Sequence, residues 1–503
     1  MKKKILVGLL SVSMLLLGSQ VVPKDAIAGF GGEVVAWAAN YGDYGYKALS
    51  DGTVEITEYK GSSVNVTIPE SLNGKTVSRI GDEAFYMSNV KSVTIPKTVK
   101  TVGADSFRES PYLTTVKFNG GTTSIGGYSF YKCKSLKSVT LCSGLESIDK
   151  YVFYECSALK SIDIPDSVSS IGGYCFSYCS ALESVDMPDN LTEIQDDLFS
   201  WCTSLKSMRI PDKVKSVGWQ AFSSCTSMER VIMPNSLKTI KDDGFNRCKA
   251  LKAVSIPNSV TSIGDGAFEN CTSLFEVVVP DSVTDIGNYA FGYIHATGAT
   301  VHTKVDGFTL YGSTSFAESY ASVYKLKYVD VRLTKGTVKL NKSEYAYNKK
   351  GINVDVTVTN SAGDKLEAGK DFEANTVGKL KCGKVTVAIK GMGKYTESIN
   401  ESIIVTPAKI KSVKAKSLKK KSVKVTWKKA LGNVTGYEIQ IARNKKFTKS
   451  LKTITVKKAK ITLKNIKKLK SKKKYFVRVR AYKTIDNEKY YGKWSAIRNV
   501  KCK

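Results

Sequence analysis

Charged side chains recur at a fixed interval in the middle of the chain. Asp163, Asp186 and Arg209 are each 23 residues apart, and Arg230 follows Ser207 by the same interval. If the chain repeats with this period, these side chains project from neighbouring copies onto one surface. Aspartates on adjacent strands would then lie about 5 Å apart, within the range of a retaining glycosidase, but any repeated aspartate has that separation. The cluster therefore predicts a ligand contact surface, and the alternative is a solvated polar face.

Lysine is concentrated at the C-terminal end. Residues 408–503 hold about 33 lysines and arginines against three acidic residues, so they carry about +30 of the net charge of +32. Two blocks stand out: Lys419, Lys420 and Lys421, then Lys472, Lys473 and Lys474. We expect them to attract an anionic surface such as a cell-wall polymer, and the alternative is a face that only aids solubility. Specific nucleic-acid binding is not expected, because no stacking aromatics or groove-reading element are recognisable.

Motifs of catalytic chemistry are missing from the sequence. It contains no G-x-S-x-G elbow, no H-E-x-x-H and no phosphate-binding loop, and its only histidines are His295 and His302. We therefore predict no enzyme activity, no catalytic residue, no metal ligand and no cofactor. A carboxylate-pair glycosidase remains the less favoured alternative, because such pairs follow no spacing rule.

Seven of the 11 cysteines share one position, three residues after a repeated phenylalanine. Neighbouring strands lie about 4.8 Å apart, beyond the mean Cβ separation of about 3.8 Å in a disulfide. We therefore expect a column of buried thiols that act as small hydrophobic side chains. The column consists of Cys133, Cys156, Cys179, Cys202, Cys225, Cys248 and Cys271, whereas Cys142, Cys175, Cys382 and Cys502 have no assigned role.

Short repeated coils must position all these side chains. Ten phenylalanines mark them, about 22 residues apart once and about 23 thereafter: Phe85, Phe107, Phe130, Phe153, Phe176, Phe199, Phe222, Phe245, Phe268 and Phe291. Written generally, the pattern is L-x-x-V-x-I-P-x-x-V-x-x-I-G-x-x-A-F-x-x-C, and in two copies Phe118-Asn119 and Leu141-Cys142 replace the Ile-Pro step. The alternating residues before the proline predict a short strand, and the glycine, as in Gly172, is expected to permit a tight corner. One copy cannot bury its own apolar residues, so the copies must stack and the ends need caps.

This pattern resembles the BspA-type leucine-rich repeats of bacterial surface proteins. The resemblance covers residues 41–330 and implies a mainly β fold, a solenoid of parallel strands with about ten 23-residue repeats. About four extra residues near 72–75 should enlarge a loop without interrupting the stack. Proteins of this type include adhesins that bind host or bacterial surface components, so the resemblance also implies adhesion.

Both ends of the solenoid have candidate caps. Asp51-Gly52 interrupts the apolar alternation of residues 46–56, which predicts a hairpin before the first coil. Residues 316–326 have helical spacing and run into Lys327-Tyr328-Val329, which predicts a helix followed by a strand.

The N-terminus has the parts of a secretory signal peptide: three lysines at 2–4, an apolar run over 5–17, and A-x-A at Ala26 and Ala28. The run is too short to span a bilayer as a stable helix, so a membrane anchor is the less favoured alternative. We predict a signal peptide over 1–28, a linker over 29–40 and an exported protein without a transmembrane anchor. The C-terminus carries no sorting-type motif, so we expect non-covalent association with the cell surface.

Two β-rich segments follow the repeats. In residues 331–407, the stretches 366–372 and 391–396 resemble motifs of small immunoglobulin-like domains found beside bacterial surface repeats, although Phe372 replaces tyrosine and Glu397 replaces glycine. Residues 408–503 resemble a fibronectin type III domain, with Trp427 in an early strand and Tyr475 at the tyrosine corner. Trp494 is placed in its last strand, in the core.

The sequence therefore predicts a secreted or cell-surface binding or adhesion protein. The solenoid would contact a protein or glycan ligand, and the basic domain would associate with an anionic surface. A passive structural component of a wall or matrix is the alternative, and an enzyme acting on wall glycan is less favoured still.

Overall fold

The computed structural model describes residues 38–295, 301–419 and 421–503. The predicted signal peptide and residues 29–37 of the predicted linker lie outside this part of the chain. The described residues form 41 strands and one α-helix. No helix among them is long and apolar enough to cross a membrane.

An antiparallel cap covers the first coil. It consists of β1 (Ala39–Tyr41), β2 (Tyr44–Ala48) and β3 (Val54–Tyr59). The hairpin turns at the Asp-Gly pair, where the Asp51 carboxylate accepts the backbone N–H of Thr53 at 2.9 Å and Gly52 has a φ of 82°. Since β3 also pairs in parallel with β6 (Lys75–Ile80), the cap leads directly into the solenoid.

The solenoid has two columns of parallel strands. The outer column contains β4 (Asn65–Thr67), β7 (Ser92–Ile95), β9 (Thr115–Phe118), β11 (Ser138–Thr140), β13 (Ser161–Asp163), β15 (Ser184–Asp186), β17 (Ser207–Arg209), β19 (Arg230–Ile232) and β22 (Glu276–Val278). The inner column contains β6, β8 (Thr101–Val102), β10 (Ser124–Ile125), β12 (Ser147–Ile148), β14 (Ser170–Ile171), β16 (Glu193–Ile194), β18 (Ser216–Val217), β20 (Thr239–Ile240), β21 (Ser262–Ile263) and β23 (Asp285–Ile286). Residues 23 apart pair in register, such as Ser161 with Ser184, which confirms the predicted parallel solenoid.

The extra residues of the first coil form a small hairpin. Strand β5 (Ser71–Leu72) pairs antiparallel with the start of β6, and Asn73 and Gly74 form the turn with φ of 49° and 73°. The insertion therefore projects from the coil and leaves the stack intact, as the sequence predicts.

The repeated phenylalanines form one buried stack at the third side of the coils. All ten are at most 1% exposed. Successive ring centroids lie 4.7 to 5.5 Å apart and nearly parallel. The backbone is paired as well, since the N–H of Phe153 donates to the carbonyl of Cys175 in the next coil at 2.9 Å. The predicted burial of this column is confirmed.

The glycine that recurs in the pattern allows neighbouring coils to stack closely and does not adopt a left-handed backbone conformation. The expected role of Gly172 is corrected, because its φ is not in the left-handed region. A Cβ there would lie 2.3 Å from the backbone nitrogen of Lys150 in the preceding coil. The left-handed corner positions belong to other residues, such as Tyr151 and Glu155, with φ of 60° and 56°.

The last coil ends in a mixed cap. Its elements are β24 (Tyr293–Ile294), β25 (Thr303–Lys304), β26 (Thr309–Gly312), α1 (Ser315–Val323) and β27 (Lys327–Asp330). The side chain of Thr314 accepts the N–H of Ala317 and caps the helix. Strands β26 and β27 extend the outer column in parallel after β22, so the predicted order of helix and then strand is present.

A second β unit packs two sheets around Phe372, Val387 and Tyr395. One sheet pairs β28 (Thr337–Leu340) with β30 (Val356–Thr359). The other contains β29 (Glu344–Ala346), β31 (Phe372–Thr376), β32 (Gly383–Gly391) and β33 (Ser398–Thr406). A short 3₁₀ turn, Leu333–Lys335, joins this unit to the solenoid.

A third β unit contains the basic residues. One sheet consists of β34 (Lys414–Leu418), β35 (Ser422–Thr426) and β38 (Leu463–Ile466). The other consists of β36 (Gly436–Ala442), β37 (Lys452–Val456), β39 (Lys474–Ile485), β40 (Glu488–Tyr491) and β41 (Arg498–Lys501). Trp427 is buried, and the hydroxyl of Tyr475 accepts the backbone N–H of Lys470 at 2.9 Å, which is the predicted tyrosine corner.

The placement of Trp494 in the last strand and the core is wrong. It lies between β40 and β41 and is half-buried. The guanidinium groups of Arg478 and Arg480 each lie 4.4 Å from its ring. Since Phe447 and Tyr491 contact the same guanidiniums, the tryptophan belongs to a stack of alternating rings and cations on the sheet.

Candidate binding surfaces

The outer column exposes the charged residues that the sequence singles out. Strand alternation buries Ile162 and exposes Asp163 on either side of the same short strand. Asp163 lies in register with Asp186 on the next coil. Arg209 occupies the aspartate position one coil further. Arg230 pairs in register with Ser207, which lies two residues before Arg209 and therefore on the same face of the strand. The structure therefore places all four side chains on one exposed sheet face, which we call the outer face.

The charges on the outer face are unevenly paired. Arg209 makes ion pairs with Asp189 at 3.3 Å and with Asp212 at 2.9 Å. Across the part of the chain that the structure describes, Asp163 and Asp186 make no ion pair. Exposed pairs of this kind contribute only about 0–1 kcal/mol, so a ligand can compete for Arg209 at little cost. The two aspartates are available to accept hydrogen bonds from a ligand.

An aromatic ridge on the phenylalanine corners is a second exposed feature, and the sequence interpretation missed it. Tyr128, Tyr151 and Tyr174 stack with ring centroids 4.7 and 4.6 Å apart. Tyr178 stacks on Trp201 at 5.6 Å, and both are 41% exposed. The ridge consists of Tyr128, Tyr131, Tyr151, Tyr154, Tyr174, Tyr178 and Trp201.

The ridge had a signal in the sequence. Tyr128, Tyr151 and Tyr174 each precede a repeated phenylalanine by two residues, at the 23-residue period. These positions have left-handed φ values of 58° to 61°, a conformation that favours glycine, asparagine or aspartate. Aromatic side chains at three such positions are therefore not required by the backbone. Burial raises the pKa of Tyr174 to about 12, so its hydroxyl remains a neutral donor.

A groove follows the end of the ridge. It has a volume of about 340 Å³ and lies beside Trp201, Arg247, Asn270 and His295. A neighbouring hollow of about 290 Å³ adds Asp243 and Glu269 to its walls and shares several of the same residues. The aromatic ridge thus leads into a region lined by hydrogen-bonding and charged groups.

The two lysine blocks lie at one end of the third unit. Lys419 and Lys421 flank the turn between β34 and β35, and the carbonyl of Lys421 accepts the N–H of Leu469 at 3.0 Å. The N–H of Lys472 donates to the carbonyl of Cys502 at 2.8 Å. Lys420 lies outside the described residues. The side chains of Lys419, Lys421, Lys472, Lys473 and Lys474 are all exposed.

These lysines are not neutralised by acidic groups. In this unit, the ion pair found among the described residues joins Arg480 to Glu438, on the sheet and away from either block. The end of the unit that carries both blocks therefore presents a concentrated positive potential to solvent.

Both the repeat and the basic unit match known families. The family model described as BspA type Leucine rich repeat region matches residues 78–206 and 169–297, with six copies. The repeat region belongs to the BspA-type leucine-rich repeats. The Fibronectin type III domain matches residues 408–500, which include every strand from β34 to β40 of the basic unit. The chain therefore combines a BspA-type solenoid with a fibronectin type III domain.

Three solved structures are similar to parts of this chain. A leucine-rich repeat protein from Bacteroides ovatus is 26% identical, and the match covers 55% of this chain and 71% of that chain at a TM-score of 0.47. A leucine rich cell surface protein from Faecalibacterium prausnitzii is 24% identical, with coverage of 58% and 94% and a TM-score of 0.35. A leucine-rich repeat protein from Bacteroides capillosus is 30% identical, with coverage of 30% and 97% and a TM-score of 0.23. No curated protein matches the chain.

Proposed function

We propose that this chain is an adhesion-type binding protein exported to the cell surface. Its solenoid, residues 41–330, contacts a protein or glycan ligand, and residues 408–503 associate with an anionic surface. The β unit over 331–407 separates the two as an immunoglobulin-like spacer. The observation that carries the proposal is the outer face, where Asp163 and Asp186 are exposed in register without ion pairs and Arg209 follows one coil along.

The outer face suits binding because its geometry is fixed by the backbone. Each coil is hydrogen-bonded to its neighbours at 23-residue intervals, so Asp163 and Asp186 keep their spacing without a ligand. A preorganised surface spends little free energy on ordering when a ligand binds. Solenoids present extended surfaces of this kind to their partners.

The aromatic ridge favours a glycan as one class of ligand. Exposed aromatic patches mark interaction sites, and here Tyr178 and Trp201 present ring surface beside tyrosine hydroxyls. A sugar offers both apolar C–H faces and hydroxyl groups, so it matches a surface that alternates rings with hydrogen-bonding groups. We include the ridge in the proposed ligand contact.

The test of the outer face is a binding measurement on the full chain. Asp163→Asn combined with Asp186→Asn should weaken saturable binding to the ligand found on a glycan and matrix-protein array by about tenfold, the effect of losing one good polar contact of about 1.4 kcal/mol. Glu146→Gln combined with Glu193→Gln is the matched control, since both residues are exposed near the inner column. A wild-type chain that binds nothing saturably would support the passive structural role, and release of labelled glycan fragments would support an enzyme.

The test of the basic end is retention on purified anionic wall polymer. Replacing Lys419, Lys420, Lys421, Lys472, Lys473 and Lys474 by glutamine should abolish most of the retention. Retention of the wild-type chain should also collapse in salt, because exposed charges are screened within about 8 Å at physiological ionic strength. A control replaces an equal number of lysines from the other end: Lys428, Lys429, Lys457, Lys458, Lys460 and Lys489. Salt-insensitive retention, or equal loss in both variants, contradicts a localised electrostatic anchor.

A further inference from the structure

The two histidines of the chain are neighbours in space. The chain contains only these two, His295 and His302. Strands β24 and β25 are antiparallel, and Ile294 pairs with Thr303. One more step in this register brings His295 opposite His302, and their ring centroids are 4.5 Å apart. The hairpin therefore holds both imidazoles side by side.

A buried carboxylate from the preceding coil completes the group. Glu269 follows the repeated Phe268, and its Oε1 lies 2.5 Å from Nδ1 of His302. One ligand atom from each of Glu269, His295 and His302 lies within 4.8 Å of the others. The other oxygen of this carboxylate, Oε2, accepts a hydrogen bond from the Asn246 amide at 3.4 Å.

Two imidazoles and one carboxylate are the donor set of open divalent transition-metal sites, including catalytic zinc sites with two histidines and a glutamate. Tetrahedral Zn²⁺ with bonds of about 2.0–2.2 Å places its ligand atoms roughly 3.3–3.5 Å apart. The three ligand atoms here lie within 4.8 Å of one another, so the side chains would adjust when the ion binds. We propose that Glu269, His295 and His302 bind one Zn²⁺, with a fourth position for water or a ligand oxygen. That position adjoins the groove lined by Trp201 and Asn270.

Neighbouring groups hold the three ligands in place. The Tyr289 ring stacks on His302 with centroids 3.6 Å apart and an interplanar angle of 3°. Asn270 accepts the backbone N–H of His295 at 2.8 Å. Contacts of this kind orient metal ligands and raise metal affinity. The site joins the coil of Glu269 to the hairpin of the last coil, and it does not depend on the adhesion proposed above.

The experiment is a Zn²⁺ titration of the metal-free full chain, expressed without a histidine tag and kept reduced. Calorimetry should show one equivalent bound. Loss of a group that only orients a metal ligand lowers metal affinity about tenfold to hundredfold. We expect a larger loss of Zn²⁺ affinity in each of the variants His302→Gln, His295→Gln and Glu269→Gln, because each removes a ligand atom. Glu155→Gln is the matched control, because Glu155 lies at the corner of another coil and pairs with Lys134 instead of an imidazole.

Two further measurements keep the test decisive. Zn²⁺ should raise the Tm of the wild type and of Glu155→Gln but not of Glu269→Gln, since a ligand stabilises only a fold that binds it. The visible absorption spectrum of the Co²⁺ complex should be that of Co²⁺ bound to nitrogen and oxygen ligands, without thiolate-to-metal charge-transfer bands. Absence of binding, retention of binding in His302→Gln and Glu269→Gln, or thiolate bands from the cysteines would each overturn the site.

Discussion

At the scale of single residues, the cysteine column shows how a reactive group becomes part of a core. Each of the seven thiols donates to the carbonyl of the phenylalanine in the preceding coil, at 3.1 to 3.3 Å. All seven are buried. The thiol is thus a small side chain with a satisfied donor, which fits the predicted role as a hydrophobic filler.

This burial predicts that the chain loses stability in alkali. Burial raises the pKa of Cys133, Cys179 and Cys271 from 9.0 to about 12. Above pH 9 the thiols ionise in the unfolded chain but stay protonated in the folded chain. Their contribution to the free energy of unfolding is therefore complete below pH 9 and is lost as the pH rises towards 12. The free energy of unfolding should fall by about 1.4 kcal/mol per pH unit for each such thiol.

The measurement is Tm against pH under reducing conditions. A triple variant removes three of these thiols by combining Cys133→Ala, Cys179→Ala and Cys271→Ala. Above pH 9, the Tm of this variant should fall less steeply with pH than the Tm of the wild type. Tyrosines with raised pKa values, such as Tyr154 at about 12, contribute equally to both proteins. Parallel curves for the two proteins would show that the thiols are not the cause.

At the scale of the element, one coil is a triangle whose third side is a tight corner around phenylalanine. Phe199 lies between Phe176 and Phe222, with centroids at 5.4 and 5.5 Å, and is fully buried. Its N–H donates to the carbonyl of Ala221 in the next coil at 2.8 Å. A coil is therefore held by rings and by backbone at the same point.

Phe199→Ala should destabilise the chain by about 3–5 kcal/mol, because it leaves a cavity between two rings that cannot close around it. Urea unfolding followed by circular dichroism measures the change. Phe275→Ala is the control, since Phe275 is 54% exposed and lies outside the stack; it should change stability by no more than about 0.5 kcal/mol. Equal effects of the two substitutions would refute the central role of the stack.

At the scale of the whole molecule, the solenoid is a chain of nearest-neighbour contacts closed at both ends. The β2–β3 hairpin covers one end, and α1 with β26 and β27 covers the other. Beyond that cap, Lys394 of the second unit lies 2.8 Å from the carboxylate of Glu276 and 3.7 Å from the ring of Tyr311. The second unit thus rests against the last strands of the outer column.

Removing one whole period should leave a folded protein. Deletion of residues 160–182 removes 23 residues and joins Leu159 to Glu183, which restores the repeat pattern. Because the buried side chains of each coil pack against the neighbouring coils, the shortened chain should keep a cooperative thermal transition. Deletion of residues 160–171 breaks the register and should abolish that transition in the repeats. A shortened chain that fails to fold after the 23-residue deletion contradicts the nearest-neighbour description.

The sequence by itself determined the solenoid, because its decisive contacts recur at a constant separation along the chain. Phe199 contacts Phe222, and Ser161 pairs with Ser184, in both cases across 23 residues. The period of the sequence therefore identifies which residues are neighbours in the structure. The hairpin at Asp51-Gly52 is equally local. The positions of Asp163 and Asp186 on one face follow from the same period.

Only the tertiary structure decided the features outside the period. The meeting of Glu269 with His295 and His302 depends on an irregular hairpin that folds back onto an earlier coil. Trp494 leaves the core because two arginines on β39 stack on it, a contact that strand alternation does not encode. The lysine blocks share one end because the strands between them reverse direction across the sheets. In each case the contact depends on where a distant segment of the chain folds back in space. The residue types alone do not specify that position.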